Sequence, residues 1–395
     1  MMLNTTFEPW PSFTVEEADA VKDLLLSNKV NYWTGKECRE FEKEFAQFSQ
    51  TKYAVALANG TVALDVVLKA LNIGAGDDVI VTSRTFLASA SCIVTAGANP
   101  IFADVELDSQ NISRKTIEAV LTPNTKAIIC VHLAGWMCDM DPIMQLAEEK
   151  GLFVIEDCAQ AHGAQYKGKS AGSIGHIGAW SFCQDKIMST GGEGGMVTTN
   201  DENLWEKMWS YKDHGKNYDS IYHKQHPPGF HWVHDSFGTN WRMMEMQAVL
   251  GRMQLKKMPI WTKKRTQNAQ RILAVFQNSP YFSVHYPNQD YVHANYKCYV
   301  QVNIDQLPAG WSRDHILNEI NAQGVPCFIG SCSEVYLEKA FEGTPWRPKT
   351  RLVNAQQLGE TSLMFLVHPT LTEDSLTKTV NAIQQVLQMM NAIKN

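Results

Sequence analysis

Long apolar runs, a basic tract and a charged leader are all missing from this sequence, and each absence excludes a class of protein. No segment approaches the roughly 18 consecutive apolar residues that cross a membrane, and the start MMLNTTFEPWPSF has no positive region followed by an apolar one. The 35 basic residues are outnumbered by 41 acidic ones and form no cluster, which argues against nucleic acid and anionic membranes as partners. Small molecules are therefore the expected partners.

Paired cysteines and regular histidine spacings are lacking too. The nine cysteines are an odd number without a CxxC pair, so we expect neither a disulfide framework nor a thiolate zinc site, and the cytoplasm is the expected compartment. Several histidines crowd one segment without a spacing that would bring metal ligands together; they are His214, His223, His226, His231 and His234. We predict a solvated or substrate-covering loop there, and no metal.

What the sequence does contain is an alternation of short apolar runs with helix-period segments, which is typical of βαβ units around a mostly parallel sheet. The runs are AVALA (54–58), DVIV (78–81), PIFADV (100–105), KAIICVHL (126–133), LFVIED (152–157), AWSFC (179–183) and GMVTT (195–199). They predict an α/β fold with about seven strands flanked by helices. Since 395 residues exceed the roughly 250–300 that one core supports, we expect a large domain over 1–258 and a smaller C-terminal α+β domain over 259–395.

This pattern places a carboxylate and a lysine at one edge of the sheet. Asp157 ends the run LFVIED at the carboxyl edge, where open α/β folds bind ligands, and Lys186 follows AWSFC just before the stretch GGEGG. The pair suits pyridoxal phosphate (PLP), because a lysine amine binds that cofactor as a Schiff base while a carboxylate keeps its ring nitrogen protonated. A lone lysine or aspartate would more often be solvated or salt-bridged, so the neighbouring residues carry weight.

The chain also offers a cradle for the phosphate of such a cofactor. Asn59, Gly60 and Thr61 lie where a strand ends and a helix begins, so free amides and a hydroxyl meet there. Ser181, in a strand close to the lysine, is a second candidate phosphate donor, and Phe86 is a candidate to stack on the pyridine ring. Taken singly, these residues would be interpreted as a helix cap, a strand serine and a core aromatic.

Six stretches of the sequence resemble successive blocks of the DegT/DnrJ/StrS family of sugar aminotransferases. They are NGTVALDVVLKAL, VIVTSRTFLASA, KAIICVHLAGWMCDMDPIM, VIEDCAQAHGAQYKGKSAGSIGHIGAWSFCQDK, GGEGGMVTTND and GTNWRMMEMQAVLGRMQL. The resemblance runs from about residue 30 to 265 and rests above all on the ED-x-A-Q-x-x-G-A block followed by S-F-x-x-x-K. It implies the fold of the fold-type-I PLP enzymes and the conversion of a keto sugar to an amino sugar.

The resemblance also implies roles for individual residues. Lys186 matches the lysine that binds PLP and moves a proton during the reaction, and Asp157 matches the partner of the pyridine nitrogen. Gln160 matches a residue that hydrogen-bonds the ring hydroxyl, and Phe86 matches the stacking aromatic. The phosphate-binding positions are matched by Gly60, Thr61, Ser181 and, from the neighbouring subunit, Asn240. A contribution from the neighbour implies a homodimer with composite active sites.

Three residues at two places depart from the family pattern without removing a required group. Asn59 replaces a small residue or serine, and Gln184-Asp185 replaces the common Pro-Thr before the lysine. An acidic side chain next to Lys186 would affect the charge of the amine if it pointed into the site. We expect Asp185 instead to face away from the lysine at the end of the strand.

Two further residues are candidates for substrate binding. Arg84 stands where the family often has a neutral residue, in the loop that also carries Phe86. We therefore expect it to grip an anionic group of a substrate, against the alternative of a surface salt bridge. His162 matches a frequent active-site neighbour of Gln160, and we weigh substrate contact and a buried structural histidine equally.

The resemblance leaves the substrate open. It implies L-glutamate as amino donor, with either a nucleotide-linked 3-keto or 4-keto hexose or an 8-oxo-3,8-dideoxy-octulosonate as acceptor, for surface polysaccharide or lipopolysaccharide. One alternative is a sugar dehydratase on the same scaffold, in which a histidine replaces the lysine, so Lys186 argues against it. The other alternative is a regulatory protein without catalysis, and the retention of every expected cofactor contact argues against that.

Overall fold

A computed structural model describes residues 7–394 of the chain and shows strands alternating with helices. The strands are β1 (Tyr53–Leu57), β2 (Asp78–Thr82), β3 (Asn99–Ala103), β4 (Thr125–Val131), β5 (Phe153–Asp157), β6 (Gln165–Tyr166), β7 (Lys169–Ser170), β8 (Ile177–Ser181), β9 (Gly195–Thr199), β10 (Phe282–Ser283), β11 (Tyr291–Val292), β12 (Cys298–Val302), β13 (Cys327–Phe328) and β14 (Ser362–Phe365). The α-helices are α1 (Val15–Leu26), α2 (Glu37–Phe48), α3 (Gly60–Ala70), α4 (Ala88–Thr95), α5 (Arg114–Glu118), α6 (Met140–Lys150), α7 (Glu202–Lys212), α8 (Tyr218–Tyr222), α9 (Glu245–Phe276), α10 (Arg313–Ala322), α11 (Val353–Thr361) and α12 (Glu373–Lys394).

The central sheet has seven strands in the order β1-β9-β8-β5-β4-β2-β3. Four neighbouring pairs are parallel, namely β8 with β5, β5 with β4, β4 with β2 and β2 with β3. Strand β9 runs antiparallel to both β1 and β8. The seven apolar runs of the sequence correspond to these strands, with small shifts at their ends. The expected α/β fold with a mostly parallel seven-stranded sheet is therefore confirmed.

The sheet is buried on both faces because alternate side chains of a strand point to opposite sides. In β1, Ala54 and Ala56 belong to one buried cluster, and Val55 and Leu57 belong to the other. Helices α3, α4 and α7 cover the second cluster, while α2, α6 and the first half of α9 cover the first. A sheet covered on both faces leaves its carboxyl edge as the place where a ligand can reach the strand ends.

A separate core lies around the four-stranded antiparallel sheet β10-β12-β14-β13. Helix α9 joins the two parts as a continuous 32-residue helix with Pro259 inside it, since a proline removes one helical hydrogen bond but need not end a helix. The expected division between 258 and 259 therefore falls within a helix, and the buried residues of the second core begin along α9 at Ala269. Phe7 packs against this second core, although the N-terminal segment was assigned to the large domain. The exact domain division stays an interpretation.

The segment between α7 and α9 that collects the histidines is largely exposed, as are its aromatic side chains Phe230, Trp232 and Phe237. The rings of His226 and His231 stack with centroids 4.5 Å apart. All nine cysteines lie within 7–394, and none of them is paired. In the same range, no helix is both long enough and apolar enough to cross a bilayer.

The N-terminus of α2 is capped from another helix. The residue before α2, Lys36, provides no side-chain cap, whereas Glu245, at the start of α9, accepts hydrogen bonds from the amides of Glu37 at 2.5 Å and Cys38 at 3.2 Å. Glu245 is fully buried, and a carboxylate at a helix N-terminus is stabilised by free amides and by the helix dipole. This contact fixes α2, which covers the sheet, to α9, which joins both parts.

Replacing Glu245 by alanine should destabilise the protein, because two amides at a buried helix end lose their acceptor. We expect the free energy of unfolding to fall by about 1–3 kcal/mol, seen as a lower melting temperature and urea midpoint. Glu245→Gln, which keeps one acceptor oxygen, should retain part of that stability. Glu148→Ala, at an exposed position of α6, is the matched control and should change little. An unchanged melting temperature in Glu245→Ala would contradict this account of the cap.

Candidate active site

A cavity of about 370 Å³ opens at the carboxyl edge of the central sheet. It is lined by Asp157 from the end of β5, Lys186 from the loop after β8 and Phe86 from the loop after β2. Its volume falls within the roughly 300–1,000 Å³ that is usual for small-molecule sites. The carboxylate and the lysine that the sequence singled out thus line one cavity.

Asp157 is held in place by two hydrogen bonds to its carboxylate. The hydroxyl of Ser89 donates to Oδ2 at 2.8 Å, and the amide of Ala159 donates to Oδ1 at 3.1 Å. Burial raises the pKa of Asp157, while these hydrogen bonds and the charge of Lys186 oppose the rise. A desolvated carboxylate of this kind is stabilised by a cation placed against it, such as a protonated ring nitrogen.

A buried polar network lies beneath Asp157. Nε2 of His132 lies 2.8 Å from Oε2 of Glu156, and the Glu156 carboxylate also accepts hydrogen bonds from the amides of Gly172, Ile174 and Gly175. The backbone amide of His132 donates to the carbonyl of Asp157 at 3.2 Å. The network therefore fixes the backbone that carries Asp157.

The network also has the composition of a metal site, but its atoms are engaged. His132, Glu156 and Cys158 place one potential ligand atom each within 4.8 Å of one another. Nδ1 of His132 accepts a hydrogen bond from the amide of Cys138 at 3.2 Å. Both ring nitrogens of His132 are thus engaged, Nε2 by the Glu156 carboxylate and Nδ1 by the Cys138 amide. We therefore interpret the group as a hydrogen-bonded support.

The backbone of Lys186 is fixed by the N-terminal segment of the chain. The indole of Trp10 donates a hydrogen bond to the carbonyl of Lys186 at 2.7 Å. Trp10 itself packs edge-on against Trp261, with ring centroids 5.1 Å apart, and stacks near His368. No local sequence pattern indicates this contact, because the two residues are far apart along the chain.

The first turn of α3 forms a cradle for a dianion. A Cβ atom on Gly60 would lie 2.5 Å from Cβ of Ser181 and 2.9 Å from its hydroxyl, so only glycine lets the helix start this close to β8. The side chain of Asn59 accepts a hydrogen bond from the amide of Val62 at 3.0 Å. This leaves the amides of Gly60 and Thr61 without intrahelical acceptors. Amides at a helix N-terminus beside two hydroxyls suit a phosphate.

An aromatic face and an amide complete the cavity. Phe86 lines it with 69% of its surface exposed, which is unusual for a phenylalanine and leaves a ring face free for stacking. The side-chain oxygen of Gln160 accepts a hydrogen bond from the amide of Ala134 at 2.8 Å. The side-chain nitrogen of Gln160 is therefore the group left to donate to a ligand.

Arg84 does not line the cavity, contrary to expectation. It is fully buried, its Nε donates to Gln110 at 2.9 Å and its Nη2 donates to Ser362 at 3.1 Å. The guanidinium also lies over the ring of Tyr299, 5.5 Å from the centroid. Tyr299 lies in β12 and Ser362 in β14, both strands of the four-stranded sheet. Arg84 therefore joins the two parts of the molecule. The expected contact with a substrate anion has no geometric support, because closeness to Phe86 in sequence does not set the direction of the side chain.

His162 and Asn240 lie outside the cavity as well. The ring of His162 is fully buried and packs against Phe45, Trp180 and Phe182. Burial, reinforced by nearby positive charge, lowers the pKa of His162 to about 3, so the ring is neutral and the structural interpretation is favoured. Asn240 is exposed, and its backbone forms a bridge with Asp213.

Three residues that the sequence did not assign to the site belong to its walls. Ser89, the second residue of α4, holds Asp157, and a serine in the first turn of a helix offers no specific sequence signal. Glu193, within GGEGG, lines the cavity. Asp185 lines it as well, which corrects the expectation that it faces away from the lysine.

These groups fit a phosphorylated aromatic cofactor, because a seat for a dianion, a free aromatic face, a buried carboxylate and an amine share one cavity. Together with the fold, they define a PLP-dependent aminotransferase of fold type I. Residues 11–384 match the DegT/DnrJ/EryC1/StrS aminotransferase family, and the chain belongs to this family. Lys186 in the cavity argues against a dehydratase, in which a histidine replaces it, and the complete cofactor seat beside it argues against a protein without catalysis.

Several relatives are similar over nearly their whole length. A solved aminotransferase from Psychrobacter cryohalolentis is 64% identical, with a TM-score of 0.96 over 98% of this chain and 100% of that one. The spore coat polysaccharide biosynthesis protein SpsC of Bacillus subtilis is 34% identical over 96% of each chain. The UDP-N-acetyl-3-dehydro-alpha-D-glucosamine 3-aminotransferase of Acidithiobacillus ferrooxidans is 34% identical over 92% of each chain.

Replacing Arg84 by alanine should lower stability and leave catalysis nearly intact, because the side chain bridges the two parts instead of touching a ligand. We expect a loss of about 1–3 kcal/mol in the free energy of unfolding, with kcat/KM for each substrate within about 2-fold of wild type. Ser362→Ala, which removes only one partner of the guanidinium, should cost less stability. A normal melting temperature combined with a roughly 10-fold or larger loss of kcat/KM for one substrate would return Arg84 to substrate binding.

Proposed function

We propose that this enzyme transfers the amino group of L-glutamate to a nucleotide-linked keto hexose, giving an amino sugar for a surface polysaccharide. The observation that carries the proposal is the convergence of Lys186 and Asp157 on one cavity with a phosphate seat beside them. The names of two relatives support the substrate class, since one is a UDP-sugar 3-aminotransferase and the other a polysaccharide biosynthesis protein.

The proposed roles follow the positions of the side chains. PLP, when bound, supplies an electron sink that stabilises the negative charge formed as a substrate C–H bond breaks. Lys186 anchors the cofactor and holds at Nζ the proton that moves during transfer. Asp157, fixed by Ser89, keeps a proton on the ring nitrogen through its negative charge.

The remaining cavity residues orient the cofactor. The amides of Gly60 and Thr61 and the hydroxyl of Ser181 bind its phosphate, as the geometry of the α3 N-terminus supports. Phe86 stacks on its ring, and the side-chain nitrogen of Gln160 donates to the ring hydroxyl. A ring held on its face, its edge and its phosphate keeps the reacting bond in one orientation, and such positioning lowers the barrier of transfer.

An 8-oxo-3,8-dideoxy-octulosonate is the other acceptor that the resemblance implied. Its carboxylate calls for a cation, and Arg84 is buried away from the cavity. Among the cavity-lining residues of the described chain, Asp157, Asp185 and Glu193 are acidic and Lys186 is the cation. The carbonyl that reacts is uncharged in both acceptors and lies away from the anionic group of each, so these charges do not separate them and the octulosonate stays the alternative acceptor.

We further propose that the enzyme works as a homodimer in the cytoplasm, with Asn240 reaching the phosphate seat of the neighbouring subunit. Asn240 is exposed and does not line the cavity of its own chain. The segment before it presents Phe230, Trp232 and Phe237 to the surface, and exposed aromatic side chains at such a density mark contact surfaces. The unpaired state of the cysteines agrees with a reducing compartment.

Borohydride should fix PLP to Lys186 and to no other lysine. The resting enzyme is expected to be yellow, with absorption near roughly 400 nm that borohydride bleaches by reducing the C=N bond to the lysine. Lys186→Arg keeps the positive charge but cannot form that bond, so transamination should fall by roughly 100-fold or more. Lys150→Arg, at an exposed position of α6, serves as control. A pyridoxyl group mapped to another lysine would refute the assignment.

Mixing two inactive variants should restore activity if Asn240 acts across the subunit interface. A heterodimer of Asn240→Ala with Lys186→Ala has one site in which both residues are intact and one in which both are lost. Assayed at limiting PLP, the mixture should recover up to half of the wild-type activity per heterodimer, whereas each variant alone stays inactive. Absence of recovery, with heterodimers demonstrated by tagged subunits, would place Asn240 in its own subunit's site or outside it.

A further inference from the structure

The carboxylate of Asp185 faces the reactive amine of Lys186. Its Oδ1 lies 3.7 Å from Nζ, and it is the only carboxylate within ion-pair distance of that nitrogen among the described residues. Its other oxygen, Oδ2, accepts a hydrogen bond from the hydroxyl of Tyr296 at 2.5 Å. One acidic side chain thus touches both the amine and a phenol.

This placement is fixed from several sides. Tyr296 is buried, its backbone amide donates to the carbonyl of Ala134 at 2.8 Å, and its ring lies 5.4 Å from Nζ of Lys186. The indole of Trp10 holds the carbonyl of Lys186. Tyr296 therefore holds the carboxylate of Asp185, and Trp10 holds the backbone that carries the amine.

Positive charge surrounds the pair. Burial lowers the pKa of Lys297 to about 8, and the positive charges of Arg265 and Lys186 add to this lowering. The negative charge of Asp185 acts in the opposite direction. Arg265 is fully buried, and its Nε and Nη2 find no hydrogen-bond partner within residues 7–394. Burial disfavours the charge on Asp185, but Lys186, Tyr296 and Lys297 more than compensate, so its pKa is lowered and the carboxylate is ionised.

The other titratable groups around Nζ come from elements on every side. They are Asp157, His162, Cys183, Glu193, Tyr296 and Lys297. Two of these groups are carboxylates. Asp157 is engaged by Ser89 and Ala159, and Glu193 lies outside ion-pair distance of Nζ. Asp185 is left as the counterion that acts directly on the amine.

We propose that Asp185, held by Tyr296, is a positioning residue that stabilises positive charge at Nζ of Lys186. This inference rests on the proposed function. While the amine is joined to PLP, the carboxylate stabilises the proton on that nitrogen. While the amine is free, Nζ takes the proton that leaves the donor carbon, becomes an ammonium group beside Asp185 and then gives the same proton up, so no proton is gained or lost.

The size of the effect is limited by solvent. An opposite charge within about 4–6 Å shifts a pKa by roughly 1–3 units, but 54% of the Asp185 side chain is exposed, and water screens such a pair. We therefore expect a shift at the lower end of that range.

The test is a pH titration of the visible absorption of the PLP-loaded enzyme, which reports the protonation of the nitrogen that joins Lys186 to the cofactor. Because an anion favours the protonated form, Asp185→Asn should move the midpoint to lower pH by roughly 1 unit. Tyr296→Phe, which keeps the carboxylate but frees it, should move the midpoint in the same direction by less. Glu193→Gln removes an equal charge from the same cavity and is the matched control, with a smaller shift than Asp185→Asn.

An unchanged midpoint in both Asp185→Asn and Tyr296→Phe would overturn the proposal, as would an equal shift in Glu193→Gln. PLP content and melting temperature of each variant establish that it is folded and loaded, and Tyr296→Phe serves if Asp185→Asn does not fold. If the protein were not a PLP-dependent aminotransferase at all, the outcome would differ from both of these results. In that case the wild-type enzyme would show no lysine-bound band to titrate and no bleaching by borohydride.

Discussion

The parallel pairing of β5 with β8 sets Asp157 directly beside Ala179, so the strand that ends in the carboxylate lies next to the strand that leads to Lys186. Parallel strands need a connection that returns the chain to the same edge, and both strands therefore deliver their ends to one rim. The next strand, β9, runs antiparallel to β8. The loop between them can then stay at the rim without a crossover helix, and this loop carries the lysine.

The rim depends in turn on polar groups buried behind it. Glu156 and His132 are both fully buried, and the Glu156 carboxylate accepts three backbone amides besides the imidazole. A buried charge is tolerated only where hydrogen bonds replace its lost hydration. This network organises the turn after β7 and the strand end at Asp157 together, so the backbone that carries this carboxylate is supported by groups that do not line the cavity.

Much of the fold and of the site could be predicted from the sequence, because fully buried strands are near-continuous apolar runs and because Asp157, Gly60 and Lys186 lie at the ends of such runs. Side-chain direction at a strand end could not. Asp185 was expected to face away and lines the cavity, while Arg84 was expected in the cavity and joins the two parts. Both depend on partners distant in sequence, Tyr296 and Ser362, which no local pattern reveals.

Those distant partners have a feature in common that bears on how the site works. Trp10, Tyr296 and Ser362 contact the active-site loops from the N-terminal segment or from the chain after α9. Tyr296 lies in the first buried cluster, and Trp10 packs against Trp261 of α9. The large part itself holds the loop after the lysine, because Ile187 and Met188 are buried and Ser189 donates hydrogen bonds to Gln254 and to the carbonyl of Phe182. The distant contacts act on the Asp185 carboxylate and on the Lys186 carbonyl. Losing them would disturb the surroundings of Nζ while leaving the Asp157 network, which is built from residues 89–175, in place.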